Sequence, residues 1–340
     1  MNKKILAAVL AMTLAWAVHA GDVLSLKDGH PETYVVKKGD TLWAISSTFL
    51  QDPWLWPELW HINPQVDNPH LIYPGDILKL VWINGKPKLV VSRGGDVKLG
   101  PAVRISELDL AIPAIPLDVI DPFLSRSRVV APGELEAAPY ILAAKDRRIV
   151  AGAGDEVYAR GEFEKDNQSF GIFRKGDAFI DPDTDELLGI EAYDIGTAKL
   201  REYADQVATL ALNRTTEEVR RGDRLLAEEE GRINANFFPA APDEDIQGYL
   251  LKVAGGVSQI GQYNVVSINK GQRDGLAPGH VLAIYRTGET VRDPITNDMI
   301  KVPDTRAGLM MVFRTFDKVS YGVVLKATRP LAVMDKVRNP

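Results

Sequence analysis

The sequence predicts an α+β module of βααβ order near the N-terminus, followed by mainly-β tandem domains built as small sandwiches or barrels. Three observations carry this. Residues 34–78 read strand, helix, helix, strand, with a turn or capping signal at each joint. The C-terminal half matches itself at an offset of 112 residues. Within that half, segments such as 319–327 alternate apolar and polar side chains, the period of a half-buried strand.

Ahead of the module, Met1-Asn2-Lys3-Lys4 precedes an apolar run from Ile5 to Val18 and then Val18-His19-Ala20. A basic start, a short apolar stretch and a small residue at the cut describe a cleaved signal peptide over residues 1–20. The run is shorter than the ~20 residues that cross a bilayer, and no later segment has the length of an integral membrane span. The expected location is the periplasm. Net charge is −6 at pH 7, and cleavage would remove Lys3 and Lys4 as well, a balance opposed to a nucleic-acid partner. The chain has 0 cysteines, so an exported fold must rely on its cores alone.

Residues Gly21 to Pro31 read as a loose leader, and the module as residues 32–82. Asp40 and Thr41 stand where a helix starts, since either side chain can accept from first-turn N–H groups. Leu42, Ile45 and Phe49 then share one face. Gln51-Asp52-Pro53 closes that helix. Pro57 is tolerated only near the start of the next one, and Asn63-Pro64 stops it. Asn84-Gly85 predicts a tight hairpin beyond the module. Residues 83–139 are a proline-punctuated connector, and Leu110-Ala111-Ile112-Pro113-Ala114-Ile115 is too apolar to hang free, so it should pack on its neighbours.

The tandem units are placed at 140–230 and 245–340. At offset 112, Asp181-Pro182 aligns with Asp293-Pro294, Thr184 with Thr296, Gly196 with Gly308, Thr216 with Thr328 and Asp223 with Asp335. Upstream, Lys175-Gly176 aligns with Pro278-Gly279 at offset 103, which implies nine extra residues in the second copy around Arg286 to Arg292. The segments from Gly154 to Gly161 and from Gln262 to Asn269 are read as opening the two units, and Asp-Pro-x-Thr marks a hairpin turn in each.

The module carries the functional signal. Its opening strand runs into Gly39-Asp40-Thr41-Leu42, its second helix exits at Asn63-Pro64, and Ile72-Tyr73-Pro74-Gly75 precedes the last strand. Over its full length it resembles a LysM module, a small unit that recognises N-acetylglucosamine in peptidoglycan or chitin. The resemblance implies a shallow groove between two loops, formed by Gly39, Asp40, Thr41 and Leu42 on one side and Asn68, Pro69, His70, Leu71 and Ile72 on the other. An acetamido sugar needs backbone donors and an apolar ledge there, and glycine admits close backbone approach. Trp43, Trp54, Trp56, Trp60 and Trp82 all lie in or beside the module. Helical spacing assigns Trp43 and Trp60 to a core. Trp54 and Trp56 fit either a sugar platform or a contact with a neighbouring domain.

Nothing in the residues points to a catalytic or metal site or to a cofactor. The histidines show no HExxH or HxH spacing, there is no cysteine nucleophile, and GxSxG is absent. Asp181-Pro182-Asp183-Thr184-Asp185-Glu186 begins like a calcium loop but lacks its glycine and its closing glutamate. The expectation is non-catalytic binding of peptidoglycan or a related N-acetylglucosamine polymer, with an envelope protein as a second partner for residues 140–340. The alternative is a divergent wall-remodelling enzyme that the module targets.

Overall fold

The computed structural model describes residues 24–60, 72–92, 113–117, 119–120, 123, 128–163, 168–228, 237–254 and 260–340. The leader read at residues 1–20 lies outside them.

In the N-terminal module, β1 (Thr33–Val35), β2 (Ile77–Ile83) and β3 (Lys86–Ser92) form one antiparallel sheet in that order. Asn84 and Gly85, at φ 52° and 76°, make the tight turn between β2 and β3, the pair of left-handed residues that such hairpins require. Helix α1 (Leu42–Phe49) starts at Thr41, whose side chain accepts from the Ala44 N–H, and it buries Leu42, Ile45 and Phe49 on one face. A 3-10 turn over Pro53–Leu55 leads into α2 (Trp56–Trp60), with Pro57 in its first turn. The added hairpin belongs to this packing, because the buried Lys88 of β3 donates its ammonium to the Glu58 carbonyl of α2.

Residues 24–27 are not a loose leader. Their backbone lies along the end of α1, where the Lys27 N–H donates to the Phe49 carbonyl at 2.8 Å and the Gln51 N–H to the Ser25 carbonyl at 2.9 Å. They satisfy groups that a helix end leaves without partners.

The first β unit contains β4 (Arg128–Val130), β5 (Tyr140–Ala144), β6 (Glu156–Arg160), β7 (Ser169–Ile180), β8 (Leu187–Ala204), β9 (Val207–Thr215) and β10 (Arg224–Ala227). Because β8 also pairs with β9, the order β8-β7-β10-β5-β6-β9 closes into a ring, with β4 added on β8. The second unit is a closed barrel of β11 (Gln247–Val253), β12 (Val265–Ile268), β17 (Ser320–Ala327), β16 (Thr305–Thr315), β13 (Val281–Arg286) and β18 (Lys336–Arg338). A two-stranded ribbon, β14 (Thr290–Arg292) with β15 (Met299–Lys301), extends its β13–β16 hairpin.

Taken strand by strand, the two rings have one connectivity, and their pairings coincide. Ile172 faces Gly196 as Ile284 faces Gly308, and Leu225 faces Ile172 as Val337 faces Ile284. Both hairpin tips use the same hydrogen bonds. Asp181 Oδ1 accepts from the Asp183 and Thr184 N–H groups, and Asp293 Oδ1 from those of Ile295 and Thr296.

These registers correct two readings. Lys175-Gly176 corresponds to Thr287-Gly288, so the offset stays at 112 and no insertion lies at Arg286 to Arg292. The length difference falls earlier, since Val157 and Ile172 are 15 positions apart but their counterparts Val266 and Ile284 are 18. Glycine turns near Gly279 had suggested the false match. In addition, β6 and β12 are the second strand of each ring; β5 and β11 come first.

The first unit is clamped to the barrel by its hairpin tip. The buried Asn269 amide donates to Asp181 Oδ2 at 2.8 Å, Arg273 donates to both Glu186 oxygens at 2.9 and 2.8 Å, and Lys318 reaches Glu186 at 2.7 Å. Lys252 bridges Asp177 and Glu191. A single core then joins module, connector and barrel. It includes Leu42, Trp56 and Leu59 of the module, Ala114, Ile115 and Ile120 of the connector, and Met311, Phe313, Tyr321 and Val323 on the outer wall of the barrel. Burying one isoleucine or leucine this fully contributes about 1.5–3 kcal/mol, so Ile115 and Ile120 help hold this junction together.

Candidate glycan-binding site

The loop between β1 and α1 brings Gly39, Asp40, Thr41 and Leu42 together. Gly39 sits at φ +90° with open space where a Cβ would be. Asp40 Oδ2 accepts from the Lys37 N–H at 2.8 Å and the Tyr34 hydroxyl at 3.0 Å. Burial, reinforced by this bond to Asp40, raises the Tyr34 phenol above its ordinary value of 10.0 and keeps it a donor at neutral pH. Thr41 is buried as the helix cap, and the Leu42 side chain is fully buried in the core. What this loop can offer a sugar is therefore backbone, the Asp40 carboxylate and the open face at Gly39.

Two backbone donors at the head of α1 are engaged within the chain. The Leu42 N–H donates to the Pro113 carbonyl at 3.0 Å and the Trp43 N–H to the Ala114 carbonyl at 3.1 Å. Sequence reasoning found the connector apolar enough to pack but did not find this seat. Its signal is the Pro113-Ala114-Ile115-Pro116 run, whose small residue and two prolines suit close, extended approach.

On the opposite loop, Asn68, Pro69, His70 and Leu71 lie outside the described residues. Ile72 is buried in the core, so its side chain is not open to a ligand. Beyond it, Asp76 accepts from the Tyr73 N–H at 3.0 Å, and the Gly75 N–H donates to the Val36 carbonyl at 2.8 Å, which ties this wall to β1.

The tryptophans divide sharply. Trp43, Trp54, Trp56 and Trp60 are buried, and Trp56 stacks against Phe238 beside the barrel. This resolves the open choice for Trp54 and Trp56: both are interior side chains, and Trp56 makes a contact between domains. The indole N–H groups of Trp54, Trp56 and Trp60 have no hydrogen-bond partner among the described residues. Trp82 on β2 is 64% exposed and is the one tryptophan of the module that presents its ring to solvent.

Among the described residues no group of three or more His, Asp or Glu is arranged to hold a metal ion. Asp181 spends its carboxylate on its own turn and on Asn269. No helix among the described residues is long and apolar enough to cross a membrane.

Residues 34–81, in which the β1–β2 pair carries two short helices, match the LysM domain family. The chain carries that domain, a module that generally binds peptidoglycan and other N-acetylglucosamine polymers. It is also 38% identical over 60 residues to the uncharacterised protein YqbP of Bacillus subtilis (strain 168). That match covers 15% of this chain and 27% of YqbP, so the chain spans about a quarter of that relative's length.

Proposed function

We propose that this protein is a non-catalytic peptidoglycan anchor of the periplasm. Its LysM domain holds the wall, and its tandem β units, residues 140–230 and 245–340, engage a second envelope protein. The observation that carries the reading is the LysM domain itself, with Gly39 exposed on the loop ahead of α1. In this reading the glycan lies between residues 39–42 and residues 68–72. One shallow site of this kind binds with Kd on the order of 10⁻³ to 10⁻⁵ M, and a polymeric wall raises retention through rebinding.

We also read the two rings as copies of one ancestral unit, a view supported by their common connectivity and by the coincident hydrogen bonds at offset 112. The copies differ where a partner would matter. Phe179 and Leu188 on the first hairpin are 3% and 5% exposed, while their counterparts Val291 and Ile300 on the β14–β15 ribbon are 45% and 47% exposed. With Ile295 and Met299 also in solvent, this ribbon is the surface we assign to the protein partner.

Co-sedimentation with purified sacculi tests the anchor. The protein should pellet with sacculi, be displaced by soluble chitotetraose, and release no muropeptides from labelled wall. Release of fragments that is lost on replacing one acidic residue would establish the enzyme reading in its place.

A further inference from the structure

We propose that residues 113–115 act as an internal ligand of the LysM groove, so that glycan and connector compete for the same backbone amides. This rests on the glycan reading above. The first turn of any helix leaves N–H groups without intrahelical partners, and in α1 each of the first three is taken. Ala44 donates to the Thr41 hydroxyl. Leu42 and Trp43 donate to the Pro113 and Ala114 carbonyls at 3.0 and 3.1 Å. A sugar whose acetamido carbonyl arrives at the head of α1 meets the Leu42 and Trp43 amides already taken until the connector leaves.

The occupant matches the group it excludes. The Pro113–Ala114 peptide unit is a secondary amide, as is the N-acetyl substituent, and Ala114 is small enough to let it seat. Its hold is apolar: Ala114, Ile115 and Ile120 are buried in the core shared with α1 and the barrel. Further along, the Phe123 carbonyl accepts from Arg314 of β16 at 3.0 Å, and the Phe123 ring lies 6.4 Å from that of Tyr321. The closed groove is therefore tied to the second barrel. The affinity seen from outside equals the intrinsic affinity scaled by the fraction of molecules with the connector released.

The test uses the full-length mature protein and chitotetraose, with calorimetry for binding and amide exchange read by mass spectrometry over residues 113–120. Binding should speed exchange across 113–120 in wild type. Ile115→Ala, which loosens the seat and leaves the sequence of residues 39–42 intact, should bind chitotetraose about tenfold more tightly. Equal affinity in the two proteins, with exchange at 113–120 unmoved by sugar, overturns the competition and leaves the glycan reading standing. Absence of binding in both, with Ile115→Ala folded and already exchanging quickly at 113–120, overturns the glycan reading and this proposal with it. Should Ile115→Ala fail to fold, the exchange response of the wild-type protein decides alone.

Discussion

Trp56 of the LysM domain and Phe238, just ahead of the second barrel, pack ring against ring, with centroids 6.0 Å apart and planes inclined by 34°. Trp56 is fully buried, so this pair sets how the glycan module sits on the β units. Replacing Phe238 by alanine should remove about 0.5–1.5 kcal/mol of pair energy and let water reach the indole. Tryptophan emission should shift to the red while the β-sheet circular dichroism stays unchanged. Trp56→Ala should cost about 3–5 kcal/mol and free the module from the barrel, measurable as a new low-temperature step in calorimetric melting.

Gly196 and Gly308 occupy matching places in the two rings. A Cβ would stand 2.3 Å from the Arg214 carbonyl oxygen at the first and 2.5 Å from the Lys326 carbonyl oxygen at the second. Alanine at either must push neighbouring strands apart, at a cost of about 1–3 kcal/mol. Thermal melting of each variant should show similar losses, and hydrogen exchange should localise each loss to its own ring.

The clamp at Glu186 predicts a pH dependence. Arg273 and Lys318 lower its carboxyl from the ordinary 4.5 to about 2. A depressed folded-state pKa gives stability that is fully present above 4.5 and lost as pH falls toward 2. The difference in unfolding midpoint between wild type and Glu186→Gln should hold steady from neutral pH to about 4.5. Below that it should shrink. A difference that already collapses near pH 6 would assign the clamp to another group.

Asp223 and Asp335 are matched buried aspartates, each accepting a backbone N–H in its turn. Only Asp223 also receives a forked bond from Arg174, at 2.9 and 3.0 Å; the Arg286 counterpart turns to Glu289 instead. Removing Asp223 takes the fork from the Arg174 guanidinium, which keeps Glu217 and the Glu218 carbonyl, so Asp223→Ala should destabilise by about 1.5–3 kcal/mol, above the figure for Asp335→Ala. Urea denaturation of both variants measures the gap.

Much of the fold was legible because its signals are local. Thr41 as cap, Asn84-Gly85 as turn and the two Asp-Pro-x-Thr tips each act within four residues, and the structure has all of them. The extent of the LysM domain was readable for the same reason. The strand correspondence upstream of the hairpins was misread, because turn glycines recur and only the pairing of Ile284 with Gly308 settles the register. Trp54 and Trp56 were undecidable because an aromatic ring suits a sugar face and a core equally well, until a neighbour such as Phe238 is in place.

Residue order alone specifies the LysM domain, its loop at Gly39 and Asp40, the β character of the rest and the hairpin tips. Each follows from short-range sterics, capping and periodicity. Long-range packing places Pro113 and Ala114 on the α1 amides, locks the first ring to the barrel through Glu186 and leaves the β14–β15 ribbon in solvent. Those contacts join residues tens of positions apart, and what selects them is which apolar faces remain to be covered once each element has formed.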